Sequence, residues 1–162
     1  LQKGFDKLIK AFALCHEDID GWELKIVGDG EEMENLRELV NKLNINNKVN
    51  FLGYHRHPEE YMETSSIFVL SSRCEGFPNV LLEAMAMGMP VISTDCKSGP
   101  KEIISNEKNG LIVKVDDELE LSKAIKRLVN NKKLRISLSE NAVNVRKDYE
   151  LNKIMHKWKY II

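Results

Sequence analysis

Five short apolar runs, each followed by a segment of helical periodicity, leave this chain few folds to choose from. The runs fall at 22–27 (WELKIV), 48–52, 67–70, 91–94 and 111–115. Between them apolar residues recur at helical spacing: Phe5, Leu8, Ile9, Phe12 and Ala13 within 3–16; Met33, Leu36, Leu39, Val40 and Leu43 within 31–43; Leu119, Leu121, Ala124, Ile125 and Leu128 within 116–130. Shorter helices are expected at 58–64, where Pro58 opens the turn, and at 80–87 and 101–105; two more, 133–146 and 150–160, finish the chain. Strands that alternate with helices pair in parallel, because each crossover brings the chain back to the same end. The expectation is an α/β fold, a parallel sheet with helices on both faces, in one domain over residues 1–162, since no repeat or linker interrupts the pattern.

In such a sheet ligands bind outside the carboxyl ends of the strands. Gly28-Asp29-Gly30, Gly53-Tyr54, the segment 72–79 and Ser98-Gly99-Pro100 all follow strands, so four unusual turns fall on one edge. The most informative lies inside 73–92, RCEGFPNVLLEAMAMGMPVI. The run Ile67-Phe68-Val69-Leu70 leads into Ser71 and Ser72, then a polar turn with Glu75, Gly76, Phe77, Pro78 and Asn79, then an apolar helix that carries a single acid, Glu83. Unpaired N–H groups and the helix dipole make that helix start an anion seat. An acid among Leu81, Leu82, Ala84, Met85 and Ala86 needs a partner or a cleft. The plain reading is a solvated turn acid plus a helix acid paired with a lysine. The functional reading is two carboxylates that grip hydroxyls at the two ends of one ligand, with phosphate between them; a sugar nucleotide has that layout.

Charge and cysteine content exclude several classes. With 24 Lys and Arg against 25 Asp and Glu, the net charge of −1 offers nucleic acid no general attraction. Cys15, Cys74 and Cys96 are too few and too widely spaced for a disulfide framework or a zinc site, which favours a reducing, cytosolic compartment. There is no signal peptide and no long apolar span, and the start at Leu1-Gln2-Lys3-Gly4 reads as a fragment of a longer chain. His55 and His57 read as surface-loop residues, because a metal needs three or four convergent ligands. Met85, Met87 and Met89 read as core filler, and Trp158 and Tyr160 as packing anchors. Cys74 stands beside Glu75, with reactivity set by its exposure.

The run from Glu75 to Asp95, EGFPNVLLEAMAMGMPVISTD, resembles the Glu-x7-Glu signature of the retaining GT-B glycosyltransferases of glycosyltransferase family 4. Four further segments resemble that family in the same order: Lys3 to Phe12 (KGFDKLIKAF), Leu24 to Gly30 (LKIVGDG), Val49 to Tyr54 (VNFLGY) and Asn109 to Val113 (NGLIV). The resemblance implies the C-terminal, donor-binding half of a GT-B fold, a Rossmann-like sheet, and a full-length enzyme whose N-terminal domain holds the acceptor. It implies that Glu75 binds the donor sugar, that Gly76, Phe77, Pro78 and Asn79 approach sugar and diphosphate through their backbone, that Val80 offers its N–H to phosphate, and that Glu83 binds the ribose diol. Lys3 is implied to offset charge on the diphosphate, with Glu75 and Lys3 as the catalytic pair; an arginine that the family places just upstream has no counterpart in the sequence. Gly28, Gly30 and Gly99 line the implied site, with Tyr54 and His55 by the base. Where many relatives have Phe-Gly, this chain has Phe77-Pro78, which removes one backbone donor. Glu102 matches a recurrent acid of the loop that closes over the sugar.

The resemblance also implies a nucleotide diphosphate sugar, most simply UDP-linked, as donor, no metal or other cofactor, and a glycan or lipid-linked acceptor in bacterial surface polysaccharide synthesis. The implied place is the cytoplasm, peripheral to the inner membrane face through the domain that this sequence lacks, and nucleic acid is not a partner. In the family a strand precedes Lys3 near the centre of the sheet, so a gap is expected there. Two alternatives stay open: a sugar-nucleotide epimerase of GT-B fold, and a non-enzymatic nucleotide-binding module in which the acids are incidental.

Overall fold

Each apolar run forms a strand: the runs at 22–27, 67–70 and 111–115 are trimmed, 91–94 is kept whole and 48–52 is shifted by one residue. The computed structural model of the chain describes residues 2–150. The strands are β1 Leu24–Val27, β2 Val49–Gly53, β3 Phe68–Leu70, β4 Val91–Thr94 and β5 Leu111–Val113. All pairings are parallel: β1 with β2, β3 with β4 and β4 with β5. β4 lies between two neighbours and is buried at every residue, as a central parallel strand covered on both faces must be.

The helices are α1 Phe5–Ala13, α2 Met33–Lys42, α3 Glu59–Glu63, α4 Asn79–Ala86, α5 Pro100–Ile103, α6 Glu118–Asn130, α7 Lys132–Ala142 and α8 Val145–Asp148. They cover both faces. On one, Leu8, Ile9 and Phe12 of α1 meet Leu36 and Val40 of α2 and Leu121, Ile125 and Leu128 of α6. On the other, Leu81, Ala84 and Met85 of α4 meet Met62 of α3, Ile103 of α5 and Val145 of α8. Each of the larger side chains among these contributes about 1.5–3 kcal/mol on burial. Met85 and Met89 lie in this core as expected, but Met87, at the end of α4, is exposed.

Most helix ends differ from the sequence reading by one or two residues; the larger changes and their local setting are these. The helix expected at 116–130 starts two residues later, because Asp116 takes a left-handed backbone (φ 61) and the Asp117 carboxylate caps the helix by accepting from Glu120 N–H at 2.8 Å. The helix expected at 133–146 breaks after Ala142: Asn144 Nδ2 donates to Asn141 O at 3.1 Å and Asn144 N–H tightens onto the same carbonyl at 3.2 Å. The first helix ends at Ala13 and is followed by a separate 3-10 turn, His16–Asp18. The helix expected at 150–160, with Trp158 and Tyr160, lies outside the described residues.

The five strands do not make one continuous sheet. The described residues hold a two-stranded sheet, β1-β2, and a three-stranded sheet, β3-β4-β5, with no ladder between β1 and β3. A cavity of about 680 Å³ separates them, lined by Leu24 and Ile26 on one side and by Ile67 and Val69 on the other. At its mouth the segment that leads into α1 lies along the end of β3, where Arg73 N–H donates to Gln2 O at 2.8 Å and Gln2 Nε2 donates to Cys74 O at 3.0 Å.

Candidate functional site

Gly4 fixes how closely that segment can approach. Its φ is 66, and a β-carbon there would stand 2.0 Å from the Ser71 carbonyl oxygen. Only glycine permits both the conformation and the contact. Immediately beside it Ser71 Oγ donates to Lys3 O at 2.9 Å. Lys3 Nζ then reaches Glu75 Oε1 at 2.9 Å, and Ser72 Oγ donates to the same oxygen at 2.6 Å. The Glu75 side chain is 9% exposed and that of Lys3 56%. The fold thus joins residues 72 positions apart into one carboxylate–ammonium pair at the carboxyl end of β3. With the lysine so exposed, the pair adds little to stability.

The turn is held from both sides. The Arg73 guanidinium makes a bidentate pair with Asp6 of α1, 2.8 Å at each oxygen, and its Nε lies 2.7 Å from Asp116 Oδ1 before α6. Hydrogen bonds from Arg73 hold the Asp6 carboxyl below the usual range, against the opposing effect of its partial burial. Planar fork and carboxylate match in shape, which is why an arginine serves here and a lysine would not.

α4 begins at this turn. Leu81 and Leu82 N–H donate to Pro78 O at 3.0 and 3.3 Å, and Asn79 N–H donates to Phe77 O at 3.0 Å. Asn79 therefore spends its donor inside the turn, whereas the Val80 N–H makes no hydrogen bond among the described residues and stays available at the positive end of the helix dipole. Glu83, about one turn further on, is exposed and makes no ion pair among the described residues. The plain reading, a helix acid paired with a lysine, finds no such lysine there.

The other turns gather at the same edge. Gly28 N–H donates to Gly53 O at 2.8 Å and so closes the ends of β1 and β2 together, and Asp29 Oδ1 accepts from Gly30 N–H at 2.8 Å. Tyr54, which follows Gly53, is 78% exposed. His55 packs edge-on against Tyr61 at 4.6 Å between centroids, and its Nε2 lies 2.8 Å from the Tyr61 hydroxyl. Gly99 has φ 100, and a β-carbon on it would meet Pro78 Cδ at 2.4 Å, so the loop after β4 closes directly onto the start of α4. The Phe77 ring is exposed and lies 6.0 Å from that of Tyr149. Cys74 is exposed, whereas Cys15 and Cys96 are buried and burial pushes both thiols up.

The structure thus joins Lys3 to Glu75 and Gly99 to Pro78, and Gly28, Lys3 and Val80 line one cavity. That cavity is the gap between the two sheets; Glu75, Gly76, Phe77, Pro78, Asn79 and Gly99 do not line it, nor do Glu83, Gly30, Tyr54 and His55. His57 pairs with Glu59 at 2.9 Å, and among the described residues no three His, Cys, Asp or Glu side chains are grouped to hold a metal ion. Sequence reasoning did not anticipate the supports: Ser72 and the Asp6–Arg73–Asp116 set. The paired serines at the end of an apolar run were the available signal for the first.

Parallel strands, helices on both faces and turns collected at the carboxyl edge define a Rossmann-like domain. The chain belongs to the family described as Glycosyl transferases group 1, which matches residues 1–145. It is 38% identical over 160 residues to an uncharacterized glycosyltransferase of Haemophilus influenzae, covering 99% of this chain and 45% of that protein. It is 32% identical over 161 residues to the amylovoran biosynthesis glycosyltransferase AmsD of Erwinia amylovora, covering 99% of this chain and 45% of that one. Among solved structures it resembles a mutant of S. aureus TarM in complex with fondaparinux, alpha-GlcNAc-glycerol and UDP, with a TM-score of 0.93, 27% identity, and coverage of 99% of this chain and 33% of that one. The chain spans about half the length of the curated relatives it matches. Among the described residues no helix is long and apolar enough to cross a membrane.

Proposed function

We propose that this chain is the donor-binding domain of a retaining, metal-independent glycosyltransferase of glycosyltransferase family 4. The full-length enzyme transfers a hexose or N-acetylhexosamine from a UDP-linked donor to a glycan or lipid-linked acceptor in bacterial surface polysaccharide synthesis. The observation that carries this reading is the meeting of Lys3 and Glu75 beside the start of α4. A cation, a carboxylate and an open helix N-terminus are the three groups that a sugar diphosphate needs. Membership of the family supports the transferase chemistry, and the TarM structure, which holds UDP, supports the donor class.

In this reading Glu75 accepts from the sugar hydroxyls and Glu83 from the ribose diol. Val80 N–H binds phosphate, with Gly76, Phe77, Pro78 and Asn79 shaping the approach. Lys3 leaves Glu75 for the diphosphate and offsets the charge that grows on the leaving group as the glycosidic bond breaks. Gly28 and Gly30 let the diphosphate come close to the ends of the first strands, Gly99 closes over the sugar, and Tyr54 and His55 border the base. The acceptor sits on an N-terminal GT-B domain of the full-length protein, at the cytoplasmic face of the membrane. Preorganised donors and one lysine take the place of a metal ion.

Calorimetric titration of UDP, GDP and ADP into this chain, with and without EDTA, tests the proposal. One diphosphate, expected to be UDP, binds weakly, with the same affinity under both conditions, and the chain alone transfers no sugar. A requirement for divalent metal, or measurable turnover by this chain alone, would overturn the corresponding part.

A further inference from the structure

Ser72 is 1% exposed, and its two oxygens are both engaged. Its hydroxyl donates to Glu75 Oε1 at 2.6 Å, and its carbonyl accepts from Thr94 Oγ1 at 2.5 Å. Thr94 is itself buried at the end of β4 and also reaches Leu70 O at 3.3 Å. β4 is the most enclosed strand of the three-stranded sheet, so the chain of contacts runs from the rigid centre of the fold, through Thr94 and Ser72, to one oxygen of Glu75.

Glu75 Oε1 receives two donors, Ser72 Oγ and Lys3 Nζ, whereas Oε2 accepts from no group among the described residues. An ionised carboxylate has acceptor capacity on both oxygens. Oε2 is therefore the one left for a ligand hydroxyl. The two donors on Oε1 are not equivalent. Lys3 is more than half exposed on a flexible stem, and its role in the proposed reaction is to leave Glu75 for the diphosphate. Once it leaves, the Ser72 hydroxyl is the remaining donor that holds the carboxylate in its plane. Packing and a buried hydrogen bond at both ends are what lock such a group.

We propose that Ser72 is a positioning residue: it fixes the Glu75 carboxylate so that Oε2 meets the sugar of the donor while Lys3 serves the diphosphate. This rests on the donor-site reading above. It adds a consequence that the reading lacks, namely that Ser72 acts on recognition of the sugar and leaves recognition of the nucleotide alone.

The test is a ratio of affinities. UDP, UDP-glucose, UDP-galactose, UDP-GlcNAc and UDP-GalNAc are titrated into wild type, Ser72→Ala and Thr94→Val. For the sugar nucleotide that wild type binds best, Ser72→Ala loses about tenfold in affinity, the scale of one hydrogen bond to a charged group, while its affinity for UDP stays at the wild-type value. Thr94→Val acts from another strand and moves the same ratio in the same direction by less. Thermal melts of the three proteins report folding separately. An unchanged ratio in Ser72→Ala, or equal weakening of UDP and its sugar conjugates, would overturn the assignment. If wild type binds none of the five, the donor-site reading itself falls, and the two failures are thereby distinguished.

Discussion

Gly4→Ala is expected to lower the melting temperature by about 6–12 °C, the shift that about 3 kcal/mol produces in a domain of this size. Two costs combine. The backbone at this position has φ 66, which disfavours a β-carbon by about 1 kcal/mol. The new atom would also sit 2.0 Å from the Ser71 carbonyl oxygen, a backbone atom that cannot swing aside, so the start of α1 must move off β3. The Ser71–Lys3 hydrogen bond and the Lys3–Glu75 pair lie on that moving segment. Gly21→Ala separates the two costs, because Gly21 has φ 79 but open space where the β-carbon would stand. It should cost only the conformational part, about 1 kcal/mol or 2–4 °C. Equal melting temperatures for the two variants would show that the contact at Ser71 does not constrain the fold.

Arg73→Ala is the second large effect. It removes a bidentate pair with Asp6 and a third contact to Asp116, and leaves Asp6 partly buried without its partner. Arg73 and Asp6 are each only about a quarter exposed, so solvent screens the pair less than a surface pair, and a loss of about 2 kcal/mol is expected. The pH dependence is set by the direction of the Asp6 shift. Arg73 lowers the folded-state pKa of Asp6 below its unfolded value, so the contribution is complete above the ordinary carboxylate range and is lost as the pH falls through the folded-state value. The stability difference between wild type and Arg73→Ala is therefore full at pH 7 and closes in acid. Urea melts at pH 7, 4 and 2.5 measure it, and a difference that stays constant across that range would remove the ion pair as its cause.

Much of the fold was legible because its signals are local. The apolar faces of α1, α2 and α6 have helical spacing in the sequence, and the same residues line the core except Met33 and Leu119, the latter 62% exposed in the first turn of α6. Strand direction came from the alternation, since a crossover helix forces parallel pairing. The boundaries that failed were decided by side-chain competition for the backbone, at Asp116-Asp117 and at Asn141 and Asn144, where one residue type can cap, break or ignore a helix. In the candidate site Lys3 and Glu75 were named from resemblance, but their direct pairing was not foreseen. It depends on Gly4 letting two distant segments touch, and spacing along the chain carries no trace of that. Thr94 looks like an ordinary strand residue, and Ser72 like the start of a polar turn, until β3 and β4 lie side by side.

Glu83 offers the most direct test of the clamp, because it stands on α4 in the open and holds no ion pair among the described residues, so its removal should leave the fold intact. Wild type and Glu83→Ala are titrated with the nucleoside diphosphate that wild type binds, with melting temperatures recorded in parallel. The predicted result is a loss of about tenfold or more in affinity, the scale of a carboxylate's hydrogen bonds to a diol, at a melting temperature within about 2 °C of wild type. Equal affinity in the two proteins would contradict the placement of the ribose on α4, and with it the clamp.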